Sequence, residues 1–321
     1  YHGNAQKGGG QVMERLLAVS SSPHIHGPQD TRTIMAWVLA ALAPAGIAGV
    51  YFFGPRAAAV MAVCIASCKI SEYLWQKMAK QPVTVGDLSA AVTGLLLAYN
   101  LPPSIPFWMA GVGSVFAIIV VKQFFGGIGC NIVNPALAGR ALMVSSWPVA
   151  MTSWTLDGVS TATPLAMIKE GAVSGLPGIY DVFIGNIGGC IGETSAAALL
   201  LGFVILLYKG IISWHIPVVY IGTVAAATAM LGRPAGPLYE VAAGGLLIGA
   251  IFMATDYTTS PMTKKGQVIF AAGCGLLTSL IRVFGGYPEG VSYSILIMNL
   301  TVPLIDKFTK PRIFGEVKKH G

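Results

Sequence analysis

Apolar runs of about the same length recur along the chain, divided by short clusters of Pro, Gly, Asn and charged residues. A bilayer core takes roughly 20 apolar residues per helix. That ruler predicts ten spans, at approximately 33–53, 57–75, 84–101, 106–125, 134–151, 182–208, 213–232, 238–255, 266–284 and 291–308. The breakers between them, "NLPPSIP", "FGGIG", "GRPAGP" and "FGGYPEG", are rich in residues that end helices. The breaks also repeat. "TGLLLAYNLPPSIP" from Thr93 matches "IGAIFMATDYTTSP" from Ile248, and "VKQFFGGIGCNIVNPALAGRAL" matches "LIRVFGGYPEGVSYSILIMNL", at offsets of 155 to 159 residues. Two five-helix halves in series have opposite orientations, an arrangement in which irregular segments meet near the bilayer midplane. The expected fold is therefore an all-α integral membrane protein of about ten transmembrane helices in two inverted five-helix repeats. Its expected divisions are an N-terminal segment 1–32, a first repeat 33–151, a loop 152–181, a second repeat 182–308 and a basic tail 309–321.

Composition agrees with a membrane protein. The chain is 54% hydrophobic and 10% charged, with mean hydropathy +0.69, against about 25% charge in soluble domains. Forty glycines fit closely packed membrane helices. The net charge of +7 suggests topology, not a nucleic-acid partner. With both termini cytoplasmic, thirteen of the 20 Lys and Arg fall on that face, against Arg56, Lys169 and Arg233 opposite. By the positive-inside rule, the loop 152–181 then faces outward. The chain starts at Tyr1, so a few residues are expected before it, and the region near its start lacks the apolar core of a signal peptide. Cys64, Cys68, Cys130, Cys190 and Cys274 have no CxxC spacing and read as small core residues. No metal site is expected, and His24 and His26 read as interfacial or partner contacts.

Polar residues inside spans are costly and carry function or pairing. Lys69 and Glu72, three apart on one helix, are expected to neutralise each other. Asp87 and Glu240 stand near span starts, where the helix dipole favours a carboxylate. Glu193 follows the glycine run "GNIGGCIG" and is a candidate for a polar path. In "GGIGCNIVNPALAGR", Asn131, Asn134 and Arg140 surround Pro135. This is either a helix cap or a site for an anion or polar cofactor. The matching segment offers Glu289, Ser292 and Tyr293, and "ATDYTTSP" contributes Asp256.

One loop stands apart in this apolar chain: "DGVSTATPL", Asp157 to Leu165. It resembles the covalent flavin attachment sequence of the RnfD and NqrB family of membrane proteins: Ser, any residue, Ala and Thr, often preceded by Asp and followed by Pro-Leu. "SSPHI", "FGGIGCNIVNPALAGRA", "GETSA", "FMATDYTTSP" and "EGVSYSILIMNLTVPLID" are similar to segments of that family in the same order, so the resemblance spans nearly the whole chain. It implies FMN joined through its phosphate to Thr163 by a flavin transferase that uses FAD. Asp157, Ser160, Thr161, Ala162 and Pro164 would form the surrounding sequence. Thr161 stands where family members commonly have Gly.

The resemblance further implies a urea-transporter-like fold and a noncovalent riboflavin, for which Asn131, Asn134, Arg140 and Glu289 are candidates. It implies electron transfer between ferredoxin and NAD couples, coupled to Na+ or H+, with no complete active site in this chain alone. Glu193, Asp256, Glu289 and Asp87 are the candidates for an ion path. The implied partners are the A, B, C, E and G subunits of an Rnf complex, especially the flavin-bearing G and the membrane-embedded A and E. The implied location is the bacterial inner membrane, with the attachment loop extracytoplasmic. The alternative is a channel or secondary transporter without redox activity, which has no use for an attachment sequence.

Overall fold

The computed structural model describes residues 30–156, 159–172, 175–286 and 290–310. The chain divides into two units, Tyr1–Asp30 and Thr31–Gly321, and the elements described belong to the second. α1 (Thr31–Phe53) and α2 (Pro55–Met78) are joined at Gly54, whose φ of 75° and following Pro allow an immediate reversal. A 3₁₀ turn, Val85–Asp87, leads into α3 (Ser89–Tyr99). There Asp87 Oδ1 accepts from the Ser89 backbone N–H and hydroxyl at 2.8 and 2.6 Å, a capping role for that carboxylate. "LPPS" stops α3 after three turns. α4 (Phe107–Phe116) widens into a π-helical stretch, Ala117–Gln123, and α5 (Pro135–Ser146) and the short α6 (Pro148–Met151) follow.

The sequence between the two expected repeats holds the departure from an all-α fold. β1 (Trp154–Leu156) pairs antiparallel with β2 (Val159–Thr161), Trp154 opposite Thr161. Then come α7 (Pro164–Lys169), α8 (Ile179–Ile184), α9 (Ala196–Tyr208), α10 (His215–Met230), α11 (Pro237–Ala242) and α12 (Leu246–Ile248). α12 runs on as a π-helical stretch, Gly249–Met253. α13 (Lys264–Phe284) and α14 (Val291–Thr309) complete the described chain.

Among the described residues, four helices, α1, α2, α13 and α14, are long and apolar enough to cross a membrane; α3, the α4 stretch 107–123, α9 and α10 are shorter apolar helices. Two expected spans are broken at a glycine of positive φ. The run 182–208 is α8, an irregular stretch and α9, with Gly185 at φ 115°. The run 238–255 breaks after α11, with Gly244 at φ 73°. Each break lies beside a buried carboxylate, Glu193 or Glu240.

The core forms where α1 meets α9, α2 meets α3 and α4, and α10 meets α13. Small residues set the spacing. A Cβ on Gly94 would lie 2.8 Å from Cys64 O and Ile65 Cα of α2, so α3 lies directly on the α2 backbone. Hydroxyls in the core find one another, as in the triangle of Tyr220, Thr278 and Ser294, 2.7 to 3.0 Å apart.

Candidate functional site

At one end of the helical body, β2 passes through the exposed Ala162 into Thr163, which is only 5% exposed. Thr163 is the N-cap of α7: its hydroxyl oxygen accepts from the Ala166 backbone N–H at 3.2 Å, and Pro164 occupies the first helical position. α7 is seated by Leu165 and Ile168, which join Val182, Ile187, Tyr239 and Ala243 in a small apolar cluster. Lys169 Nζ also donates to Gly285 O. The cleft beside Thr163 has Ile187, Gly188, Gly189, Glu193, Thr194 and Gly244 in its wall and a volume of about 10 Å³. Ser160 and Thr161 belong to β2, whereas Asp157 lies outside the described residues.

From that cleft a series of buried polar side chains runs into the body. Glu193 Oε1 accepts from the Cys190 N–H at 3.2 Å, and its Oε2 is 3.9 Å from Arg140 Nη1. Arg140 Nη1 donates to Asn100 Oδ1 at 2.7 Å, and Asn100 Nδ2 is 3.7 Å from Met253 Sδ. Asn134 Nδ2 donates to Met253 O at 3.3 Å, while its Oδ1 caps α5 through the Ala136 and Leu137 N–H groups. With its amide turned to suit its neighbours, Asn299 accepts from the Asn134 N–H at 3.0 Å and donates to Thr259 O at 3.1 Å. The Thr259 hydroxyl donates to Asp256 Oδ2 at 3.2 Å. The Thr258 hydroxyl lies 2.9 Å from that carboxylate oxygen and 3.0 Å from Asn131 Oδ1. Burial pushes the Asp256 carboxyl above the ordinary range, against the lowering effect of these hydroxyls.

The series ends at a cavity of about 390 Å³, with walls from the first turns of α1 (Thr31, Met35, Val38), from α3 (Ser89, Leu96) and from Asn131, Asn134, Phe252 and Asp256. Lys122 also lines it, and its ion pair corrects the expectation for Lys69. Glu72, fully buried, pairs across helices: Lys122 Nζ donates to Glu72 Oε1 at 2.7 Å and to Ser89 Oγ at 2.6 Å, and Gln123 Nε2 donates to the same carboxylate oxygen at 2.7 Å. The π-helical stretch of α4 ends with Lys122 and Gln123, so an extra residue in the turn brings both to α2.

The structure thus gathers Asn131, Asn134 and Asp256 at the cavity and Thr163 and Glu193 at the cleft, with Arg140 between. Asp87 lines neither, and Glu289 lies outside the described residues. Glu240 is held by ion pairs in addition to its place in the first turn of α11: its oxygens lie 2.8 Å from Arg233 Nε and 3.1 Å from Arg282 Nη1. Lys122, Glu72 and Asn100 were not among the expected site residues. The signal for Lys122 was a lysine in an apolar run just before paired glycines, but its partner is 50 residues away.

The NQR2, RnfD, RnfE family model matches residues 18–315. The chain belongs to this family. Three curated members show how far the similarity extends. The D subunit of the Na(+)-translocating ferredoxin:NAD(+) oxidoreductase complex of Acetobacterium woodii is 53% identical over 313 residues, 96% of this chain and 98% of the relative. The D subunit of the proton-translocating ferredoxin:NAD(+) oxidoreductase complex of Clostridium ljungdahlii is 48% identical over 324 residues, 95% and 98% of the two chains. The D subunit of the ion-translocating oxidoreductase complex of Escherichia coli is 37% identical over 351 residues, 94% and 99%. For this RnfD-type chain, two relatives of similar identity are named for different ions.

Proposed function

We propose that the chain is the D subunit of an ion-translocating ferredoxin:NAD oxidoreductase complex in the bacterial inner membrane, with Thr163 as the acceptor of a covalent FMN. The observation that carries this reading is the attachment-type sequence in a chain that matches an RnfD-type protein over 96% of its length. A solute channel would leave that sequence without a role. The test is in-gel flavin fluorescence of the denatured protein. Wild type should be fluorescent and Thr163→Ala dark; a dark wild type from cells that make the transferase would shift the assignment to a transporter.

The finer architecture is part of the proposal. α1, α2, α3, α4 and α5 correspond in order and character to α9, α10, α12, α13 and α14, and short α3 and the broken α11–α12 segment stand at matching places. This supports two inverted five-helix repeats of the urea-transporter type. Aromatic and basic groups at both ends support a body that spans the bilayer: Lys209 lies 4.0 Å from the Trp37 ring, and at the other end Trp108 packs edge-on to Trp147. With cytoplasmic termini, the cavity opens inward and Thr163 lies on the outer side. The charge asymmetry in the sequence supports that orientation.

A cavity of about 390 Å³, mostly apolar with a few convergent polar groups, suits a flavin-sized ligand. We assign it to the noncovalent riboflavin, with Val38, Leu96 and Phe252 as apolar walls and Asn131 and Asp256 as polar partners. A bound riboflavin supplies one-electron chemistry, and this chain sets its position and surroundings. The Lys122–Glu72 pair keeps a charge at the wall without an unpaired ion. The buried series from Asp256 to Glu193 is the proposed polar path between the two ends, and Arg140 is its cationic constriction. The A, E and G subunits of the complex and the flavin transferase are the proposed partners.

A further inference from the structure

The cleft beside Thr163 does not fit the flavin it is proposed to carry. We infer that Thr163 is occluded while α7 is docked, so that α7 must leave its seat for FMN to be attached and cannot return to the same seat afterwards. The inference rests on the reading of Thr163 as the acceptor.

Three observations carry it. The Thr163 side chain is buried, and its oxygen is engaged as the cap of α7. The adjoining cleft, about 10 Å³, has room for about one water, whereas pockets that hold ligands of flavin size run to roughly 300–1,000 Å³. The wall has no slack: a Cβ on Gly244 would lie 2.6 Å from Leu165 Cδ1, so Leu165 already rests on that backbone.

The chemistry needs more space than this. The Thr163 oxygen must form a bond to the flavin-side phosphorus of FAD while the pyrophosphate P–O bond on the other side breaks. AMP then leaves, and the hydroxyl proton passes to a base on the transferase. The reacting atoms have to come within about 3–3.5 Å in line with the leaving group, whereas Ile187, Gly188, Gly189 and Thr194 wall a cleft at Thr163 of only about 10 Å³.

The seat is also of a kind that can be released. α7 has six residues and is held by Leu165, Ile168 and the Lys169 contact with Gly285. A helix this short does not persist in water by itself, so release turns it into a pliable strand that a transferase can bind. Ala162, one residue before the acceptor, is already exposed, so the displacement is local. In the modified protein the flavin then lies outside the packed core of this chain.

The test uses the whole complex purified from cells without the transferase, incubated with transferase and FAD. Covalent flavin is followed by gel fluorescence, and deuterium exchange of the peptide holding Ala166 to Glu170 is compared before and after. The wild-type rate should level off as transferase is raised, at the rate of α7 release. Leu165→Ala should raise that limit by about tenfold or more, and Lys169→Met should raise it less. The Ala166–Glu170 amides of the wild type should lose protection on modification, a readout that needs no variant. A rate proportional to transferase and equal in all three proteins, or protection unchanged by modification, overturns the occlusion and leaves the acceptor. No flavin in wild type under any condition overturns the acceptor reading and the occlusion with it.

Discussion

Thr161 and Thr163 carry the same hydroxyl two positions apart, but Thr163 is the one that opens a helix, with its oxygen on the Ala166 N–H. Loss of that cap costs about 0.5–2 kcal/mol. Thr163→Ser should therefore keep both the cap and the flavin fluorescence, Thr163→Ala should lose both, and Thr161→Ala should remain fluorescent. The buried pair of Lys122 and Glu72 gives a second expectation. Lys122→Met leaves a carboxylate unpaired in the core, which costs about 3–5 kcal/mol, whereas Lys122→Met with Glu72→Leu should recover much of the loss. Thermal unfolding of the purified protein in detergent measures both. The raised carboxyl of Asp256 gives a third. Folding favours its neutral form, so its contribution is fully present below the unfolded value, about pH 4, and is lost as pH rises through the folded value. Asp256→Asn should flatten that part of the curve of Tm against pH. At this scale the Asn134 cap was legible because Asn before Pro is local chemistry. The partner of Glu72 was not, because only the crossing of α2 and α4 brings Lys122 to it.

Helices and their breaks carry the next set of consequences. The run 84–101 reads as one span, but α3 occupies only Ser89–Tyr99, and its small face lies on α2. Gly94→Ala places a Cβ 2.8 Å from backbone atoms of Cys64 and Ile65, which cannot rotate away as a side chain would. The expected cost is about 1–3 kcal/mol, seen as a lower Tm and a wider α2–α3 separation. The broken runs were readable as glycine-rich but not as breaks. Glycine is frequent in unbroken membrane helices as well, and the decision at Gly185 and Gly244 lies with the packing around Ser195 and Leu165, which their positive φ accommodates.

Across the whole molecule, two sites of different kind lie at opposite ends, joined by buried polar side chains. Filling the cavity with Val38→Trp should lower the riboflavin released on denaturation while leaving the Thr163 fluorescence in place. Cys130 is the one exposed cysteine of the five, so a membrane-impermeant maleimide should label it from the cytoplasmic side in vesicles if the cavity opens there. The sequence by itself determined membrane residence and the family, and it carries the attachment-type motif on which the flavin proposal rests, because apolar run length, a contiguous motif and the order of family-type segments are properties of the linear chain. Only the tertiary structure decided that Asn131, Asn134 and Asp256 share a cavity wall, that Arg140 stands between Asn100 and Glu193, and that the Thr163 hydroxyl is buried. Each of these depends on which helix faces cross, and a pattern of apolar residues that is nearly uniform around a membrane helix leaves that choice to small-residue contacts and buried polar partners far apart in the chain.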